Sequence, residues 1–130
     1  MAMSKGSHHI LSDVNLGRIV FSENGRDLQI DFINTEDGAF AAKLTVTGVI
    51  ALNYHNVFTG QEDMLPAYVG EVTCAELNSD ELSSVIQKRG YGFLARSITN
   101  YNPHSPFLHI HAEGGELSVD IVCKHYSVHT

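Results

Sequence analysis

Tryptophan is missing from the 130-residue sequence, cysteine occurs twice, and Lys and Arg together number 8 against 15 Asp and Glu. The formal net charge is therefore -7. A protein that binds nucleic acid or an anionic membrane needs a cationic surface, so this shortage argues against both kinds of partner. The sequence also lacks an apolar run near the ~20 residues that cross a bilayer, and it has no apolar leader segment at its start. These absences predict a soluble, acidic protein.

The two cysteines, Cys74 and Cys123, both lie in alternating apolar patterns typical of strands. A cysteine in such a pattern behaves as a small apolar side chain in the core, and intracellular thiols stay reduced. We predict two buried, reduced thiols and a cytoplasmic location. A disulfide between the two is the alternative that the sequence leaves open.

Length and composition predict one domain. The chain is 43% hydrophobic and 18% charged, as is ordinary for a globular protein, and 130 residues suffice for one core. Residues 1–9 are mostly small or polar, which predicts a flexible tail, and residues 10–130 are predicted to form a single β-rich domain.

Residues 16–34 predict a β-hairpin. Asn24-Gly25 separates two alternating runs, and this dipeptide readily adopts the positive φ values of a tight turn. A turn there sorts apolar from polar side chains with little error. The expected cross-strand pairs are Arg18–Asp31, Ile19–Ile30, Val20–Gln29 and Phe21–Leu28.

The middle of the chain predicts further strands and one helix. A strand that begins near Phe40 continues through Tyr54, either as one strand bent at Gly48 or as two strands. A loop over 55–68 and a strand over 68–77 follow. Asn78 with Glu81 forms a capping box, which predicts a helix near 79–89, and a strand over 91–99 and a loop over 100–106 come after it. The predicted fold class is α+β: a mainly antiparallel β-sheet, open or a partial barrel, built from hairpins, with one α-helix near 79–89 packed on it.

Gly114-Gly115 predicts a last hairpin whose outer face carries histidines. A turn at these glycines places Leu108, Ile110 and Ala112 on one face together with Val119 and its apolar neighbours. On the opposite face, His109 is expected opposite Asp120 and His111 opposite Ser118. Directly opposed side chains have Cβ atoms about 5 Å apart, so His109, His111 and Asp120 are expected to converge.

Two imidazoles and a carboxylate suit zinc or iron, which makes these three residues a candidate metal site. Histidine and acidic residues are also common on any solvated strand face, where His109 and Asp120 would form an ordinary ion pair. A third interpretation is a partner-binding face to which Phe107 adds an aromatic side chain. The candidate binding face is therefore His109, His111, Asp120 and Phe107, and no residue is assigned as catalytic.

One short motif resembles a known family. His109, His111 and Glu116 follow the spacing of part of the first metal motif of the cupins, which bind metal through two His, a Glu and a later His. The pattern departs from the family at Pro103 and Cys123, where cupins have glycine, and the second cupin motif has no room after Glu116. We therefore do not assign the chain to the cupins.

The sequence lacks the other motifs of common catalytic sites. It has no G-x-S-x-G elbow, P-loop, G-x-G-x-x-G after a strand, or C-x-x-C. This favours a non-catalytic protein-binding or assembly module, such as an inhibitor or immunity-type protein or a homo-oligomer, and no cofactor is expected. The alternative is a metal- or small-molecule-binding β-protein that uses the His109/His111/Asp120 face.

Overall fold

The structure, a computed structural model, describes residues 8–57, 65–77 and 107–130. Strands make up 75% of these residues and form one antiparallel sheet of 8 strands, and the described ranges contain no helix. The predicted α+β class is therefore wrong for this part of the chain, which is all-β. The helix predicted near 79–89, the strand over 91–99 and the loop over 100–106 lie outside the described residues. Within them, no helix has the length and apolarity to cross a membrane.

The described residues contain eight strands. Their bounds are β1 (His8–Phe21), β2 (Leu28–Asn34), β3 (Phe40–Thr47), β4 (Ala51–Asn56), β5 (Ala67–Leu77), β6 (Phe107–Glu113), β7 (Leu117–Cys123) and β8 (His125–His129). β1 begins at His8, inside the segment 1–9 that the sequence assigns to a tail.

The sheet curls, and its two edges approach each other at one end of the strands. The strand order is β4-β7-β6-β5-β1-β2-β3-β8, which makes β4 and β8 the edge strands. The connection between β3 and β4 contacts the connection between β7 and β8. The Lys124 N–H donates to the Thr47 and Gly48 carbonyls at 3.3 and 3.2 Å. Tyr126 on β8 also bonds with His8 on β1, although two strands lie between them in the order. A single sheet can bury its apolar face only by curling in this way or by packing on another layer.

The enclosed face carries the hydrophobic core. Neighbouring strands place apolar residues directly opposite one another, as in Ile30 with Leu44 and Ile110 with Ile121. Alternate residues point to the other face, which is the outer surface of the sheet. The largest fully buried side chains include Leu16, Ile30, Phe32, Leu44, Ile110 and Ile121.

The first hairpin confirms the register predicted from Asn24-Gly25. The pairs Arg18–Asp31, Ile19–Ile30, Val20–Gln29 and Phe21–Leu28 are all present. Gly25 has a φ of 72°, which a glycine adopts at little cost. The side chain of Asn24 accepts a bond from the Arg26 N–H at 2.9 Å and so stabilises the turn. A bulge between Leu16 and Arg18 shifts the pairing before this point.

Gly48 ends β3, so the region predicted as one bent strand or two is two strands. Its φ of 65° lies in the left-handed region, and a Cβ there would come within 3.2 Å of three Lys124 side-chain atoms. The strand predicted over 68–77 is β5, which begins one residue earlier at Ala67. The terminal strand β8 is not predicted by the sequence.

Both cysteines are buried free thiols, as the sequence predicts. Cys74 lies on β5 and Cys123 on β7, with β6 between them. Strands spaced at 4.7–4.9 Å put the two backbones about 9 Å apart, beyond the ~7 Å that a disulfide can bridge. The disulfide that the sequence leaves open is therefore excluded by this fold. Burial raises the pKa of both thiols, that of Cys123 to about 12.

Candidate metal centre

The β6–β7 hairpin carries the candidate site, and its turn depends on Gly114. The Gly114 N–H donates to the Leu117 carbonyl at 3.0 Å, which leaves Gly115 and Glu116 at the tip. A Cβ on Gly114 would lie 1.8 Å from the backbone oxygen of Tyr68 on β5. Glycine is therefore required at 114 because the two backbones approach so closely there, whereas a Cβ on Gly115 meets nothing within 4 Å.

The chain reverses at these glycines as predicted, but the register differs from the prediction by two residues. Ala112 pairs with Val119 and His111 with Asp120, whereas the sequence predicts Leu117 and Ser118 as their partners. A shift of two residues keeps every side chain on its predicted face, because the side-chain period of a strand is two. Ile110 and Val119 thus both face the core, while the histidines remain on the outer face.

The structure brings His109, His111 and Asp120 together. The Oδ1 atom of Asp120 lies 2.8 Å from Nδ1 of His111 and 2.9 Å from Nε2 of His109. One ligand atom from each residue lies within 4.8 Å of the others, which makes a group able to hold a metal ion. The side chains of His109 and His111 are 21% and 32% exposed, and that of Asp120 is 5% exposed. The carboxylate thus forms the base of the cluster, and the imidazoles border the solvent.

Oδ1 of Asp120 lies within hydrogen-bond distance of both imidazoles, and this arrangement determines which ring nitrogens carry a proton. A carboxylate can only accept, so each of the two ring nitrogens that face it carries a proton when these hydrogen bonds form. The hydrogen bond to Asp120 raises the pKa of His111 above its ordinary value, against the opposing effect of burial. The charge of Glu113 acts in the same direction, with Oε1 of Glu113 3.5 Å from Nε2 of His111.

Glu113 lies near the cluster although the sequence did not predict it there. A turn centred on Gly114-Gly115 would set Glu113 opposite Glu116, whereas the structure pairs it with Ser118. The signal was present in the sequence, because His109, His111 and Glu113 are spaced by two and therefore share a face of one strand.

The remaining predicted residues lie apart from the metal-capable group. Phe107 begins β6 opposite Leu77 and is 1% exposed, so its ring offers no aromatic surface to a partner. Glu116, the acid of the cupin-like spacing, lies at the turn and is not a member of the group found among the described residues.

A hollow on the described surface lies elsewhere. It measures about 440 Å³ and is lined by Asp13, Asn34, Thr35, Glu36 and Asp37. All five are exposed, and Asp13 is already bonded to the hydroxyl of Tyr68. Exposed carboxylates of this kind are ordinarily hydrated, so the His109–His111–Asp120 cluster, which has a buried carboxylate, is the better candidate site.

Comparison with known proteins supports the fold but names no activity. A family model whose description reads only "-like:-like" matches residues 9–130, and the chain belongs to that family. The structure is similar to the crystal structure of an uncharacterized protein from Neisseria gonorrhoeae, with a TM-score of 0.65 and 17% sequence identity. The match covers 97% of this chain and 99% of that one. No curated protein matches the sequence.

Proposed function

We propose that the chain is a non-catalytic binding protein whose ligand is a divalent transition-metal ion such as zinc. The ligands are His109 and His111 of β6 and Asp120 of β7. The observation that carries this proposal is the convergence of three ligand atoms, each within 4.8 Å of the others, on adjacent strands of one hairpin.

The donor set fits zinc in both chemistry and dimensions. Zinc binds imidazole nitrogen at ~2.0–2.1 Å and carboxylate oxygen at ~2.0–2.2 Å, so tetrahedral ligand atoms lie about 3.4 Å apart. The nitrogen–oxygen distances here are 2.8 and 2.9 Å. Insertion of an ion therefore requires each of these two distances to widen by about half an ångström, and the two imidazole nitrogens, which lie within 4.8 Å of each other, to take up the same tetrahedral spacing. The ion replaces the protons that the two nitrogens share with Asp120.

The partial exposure of both imidazoles favours a site that solvent can reach. Three protein ligands leave a fourth tetrahedral position to water or to an exogenous ligand. Iron, cobalt, nickel and copper accept the same nitrogen and oxygen donors, so the proposed site is expected to bind these ions as well as zinc.

Metal titration tests the proposal. For this test the protein carries the replacements His8→Ala and His9→Ala, so that metal uptake by these two adjacent histidines of β1 does not contribute. We expect about one equivalent of zinc in equilibrium dialysis against a chromophoric chelator, and none after His109→Ala with His111→Ala. The matched control is His125→Ala with His129→Ala, which removes two exposed imidazoles on β8 and should leave uptake unchanged. Equal loss in both double variants, or no zinc in the parent protein, would contradict the proposal.

A protein partner or self-association is a second proposal, supported by one patch. Val20 and Phe21 are adjacent and remain 43% and 51% exposed at the end of β1. Exposed apolar residues that adjoin one another are typical of contact surfaces, and the net charge of -7 suits a basic partner. Light scattering should give a mass above 14.3 kDa, or immobilised protein should retain a basic partner from the native host. A monomer that retains nothing would contradict this proposal.

The two buried thiols support a cytoplasmic location.

A further inference from the structure

Both ring nitrogens of His111 face a carboxylate. Nδ1 lies 2.8 Å from Oδ1 of Asp120, inside the cluster, and Nε2 lies 3.5 Å from Oε1 of Glu113, outside it. Glu113 follows His111 by two residues on β6, so the strand itself directs the two side chains to the same face. Glu113 is 65% exposed, and its carboxylate approaches the cluster from the solvent side.

A metal ion requires a lone pair on the nitrogen that it binds. A neutral imidazole carries one proton, and the position of that proton is set by the hydrogen bond that the other nitrogen makes. Histidine ligands in proteins commonly donate this second N–H to a carboxylate, which fixes both the tautomer and the orientation of the ring. At His111 the ligand atom of the cluster is Nδ1, and the second nitrogen is the one that faces Glu113.

We infer that Glu113 is a positioning residue for the metal site, holding the proton of His111 on Nε2 so that Nδ1 presents its lone pair to the ion. This inference rests on the proposed metal-binding function. It assigns two different tasks to the two carboxylates around His111. Asp120 binds the ion directly, and Glu113 acts only through the imidazole.

The size of the effect follows from the geometry. Loss of an outer carboxylate of this kind typically lowers metal affinity by about 10–100-fold. The 3.5 Å separation and the exposure of Glu113 place it at the weak end of that range. We expect Glu113→Ala to weaken zinc binding about tenfold, and Glu113→Gln to fall between this variant and the parent, because the amide oxygen still accepts an N–H.

Glu71 provides the matched control. It lies on β5 directly opposite Glu113 and is also exposed, so Glu71→Gln removes the same charge from the same face. Its effect on zinc affinity measures the general loss of negative charge near the site. We expect this variant to bind zinc within about twofold of the parent, because exposed charges are well screened.

The experiment combines zinc affinity near pH 8 with ¹⁵N NMR of the imidazoles in the zinc-loaded protein. The inference predicts that His111 of the parent binds through Nδ1 with a proton on Nε2, and that Glu113→Ala loses this single state together with about tenfold in affinity. Coordination through Nε2 in the parent would overturn it, as would equal affinities for Glu113→Ala and Glu71→Gln. In either case zinc still binds the parent, so the proposed function survives. Failure of the parent to bind zinc overturns both.

Discussion

Gly114→Ala tests whether the close contact between the β6–β7 turn and β5 controls the stability of this fold. The new Cβ would lie 1.8 Å from the Tyr68 oxygen and 2.8 Å from the Tyr68 carbonyl carbon. Both atoms belong to the backbone, so no side-chain rotation can relieve the clash. The next residue along β5, Val69, is fully buried, which prevents that strand from moving away freely.

The cost of this substitution can be estimated from the overlap. An ordinary contact distance is about 3.4 Å, so the turn or β5 must shift by roughly 1.5 Å, and overpacking of this kind costs about 1–3 kcal/mol or more. We expect about 3 kcal/mol for Gly114→Ala because two backbones are involved. With a urea m-value of about 1.5 kcal/mol/M, the unfolding midpoint should fall by about 2 M.

Gly115→Ala is the control, since it makes the same chemical change one residue later. A Cβ at that position has no neighbour within 4 Å, so the free energy of unfolding of this variant should lie within about 0.5 kcal/mol of the parent value. Urea unfolding followed by circular dichroism measures both variants. If the two alanine variants were equally stable, the close contact of Gly114 with Tyr68 would not be the constraint that we describe.

Further predictions concern the buried carboxylate and the thiols. Asp120→Asn should abolish zinc uptake and lower the free energy of unfolding by about 2 kcal/mol, because hydrogen bonds to a charged group are lost. Since Asp120 raises the pKa of His111, the stability gained from that pair is fully present below pH ~6.5 and is lost as the pH rises through the folded pKa. The difference between the urea midpoints of the two proteins should therefore shrink as the pH rises above about 6.5, and a constant difference would contradict this assignment. Cys74 and Cys123 should react with a thiol reagent such as DTNB only as fast as the protein unfolds, because burial raises the pKa of both thiols; immediate reaction in buffer would contradict the enclosed core.

The first hairpin could be predicted residue by residue because two signals agree there. Asn24-Gly25 fixes the turn, and the alternation from Ile19 to Ile30 fixes the faces. In the last hairpin only the faces could be predicted. Several turns are compatible with two adjacent glycines, and a shift of two residues leaves the apolar pattern unchanged, so the pattern cannot distinguish Ser118 from Asp120 as the partner of His111.

Other parts of the fold are hidden from the sequence by breaks in the pattern. Asp13 has a φ of 54°, and the pairing of β1 shifts both between His9 and Leu11 and between Leu16 and Arg18, so the alternation along this strand of 14 residues is interrupted three times. β8 has only 5 residues with three exposed positions, and it becomes a strand through its pairing with β3. The α+β prediction depended on local capping signals around Asn78. The described residues are all-β because their strands, several of them distant in sequence, pair in one sheet, and local signals do not predict such pairing.

The convergence of His109, His111 and Asp120 was predicted, but its details were not. The prediction needed only that the three side chains share a face. This holds for any pairing of the two strands that is shifted by an even number of residues. The actual register sets Asp120 directly opposite His111 and one oxygen within hydrogen-bond reach of both rings. The approach of Glu113 to Nε2 of His111 depends on rotamers, which the sequence does not determine.

Anomalous X-ray diffraction at the zinc absorption edge tests the central claim most directly. Crystals of the His8→Ala, His9→Ala protein grown with one equivalent of zinc should show one strong anomalous peak about 2.1 Å from Nε2 of His109, Nδ1 of His111 and a carboxylate oxygen of Asp120. A peak only at other histidines, or intact hydrogen bonds between the two imidazoles and Asp120 with no metal between them, would contradict the claim that this hairpin is a metal site.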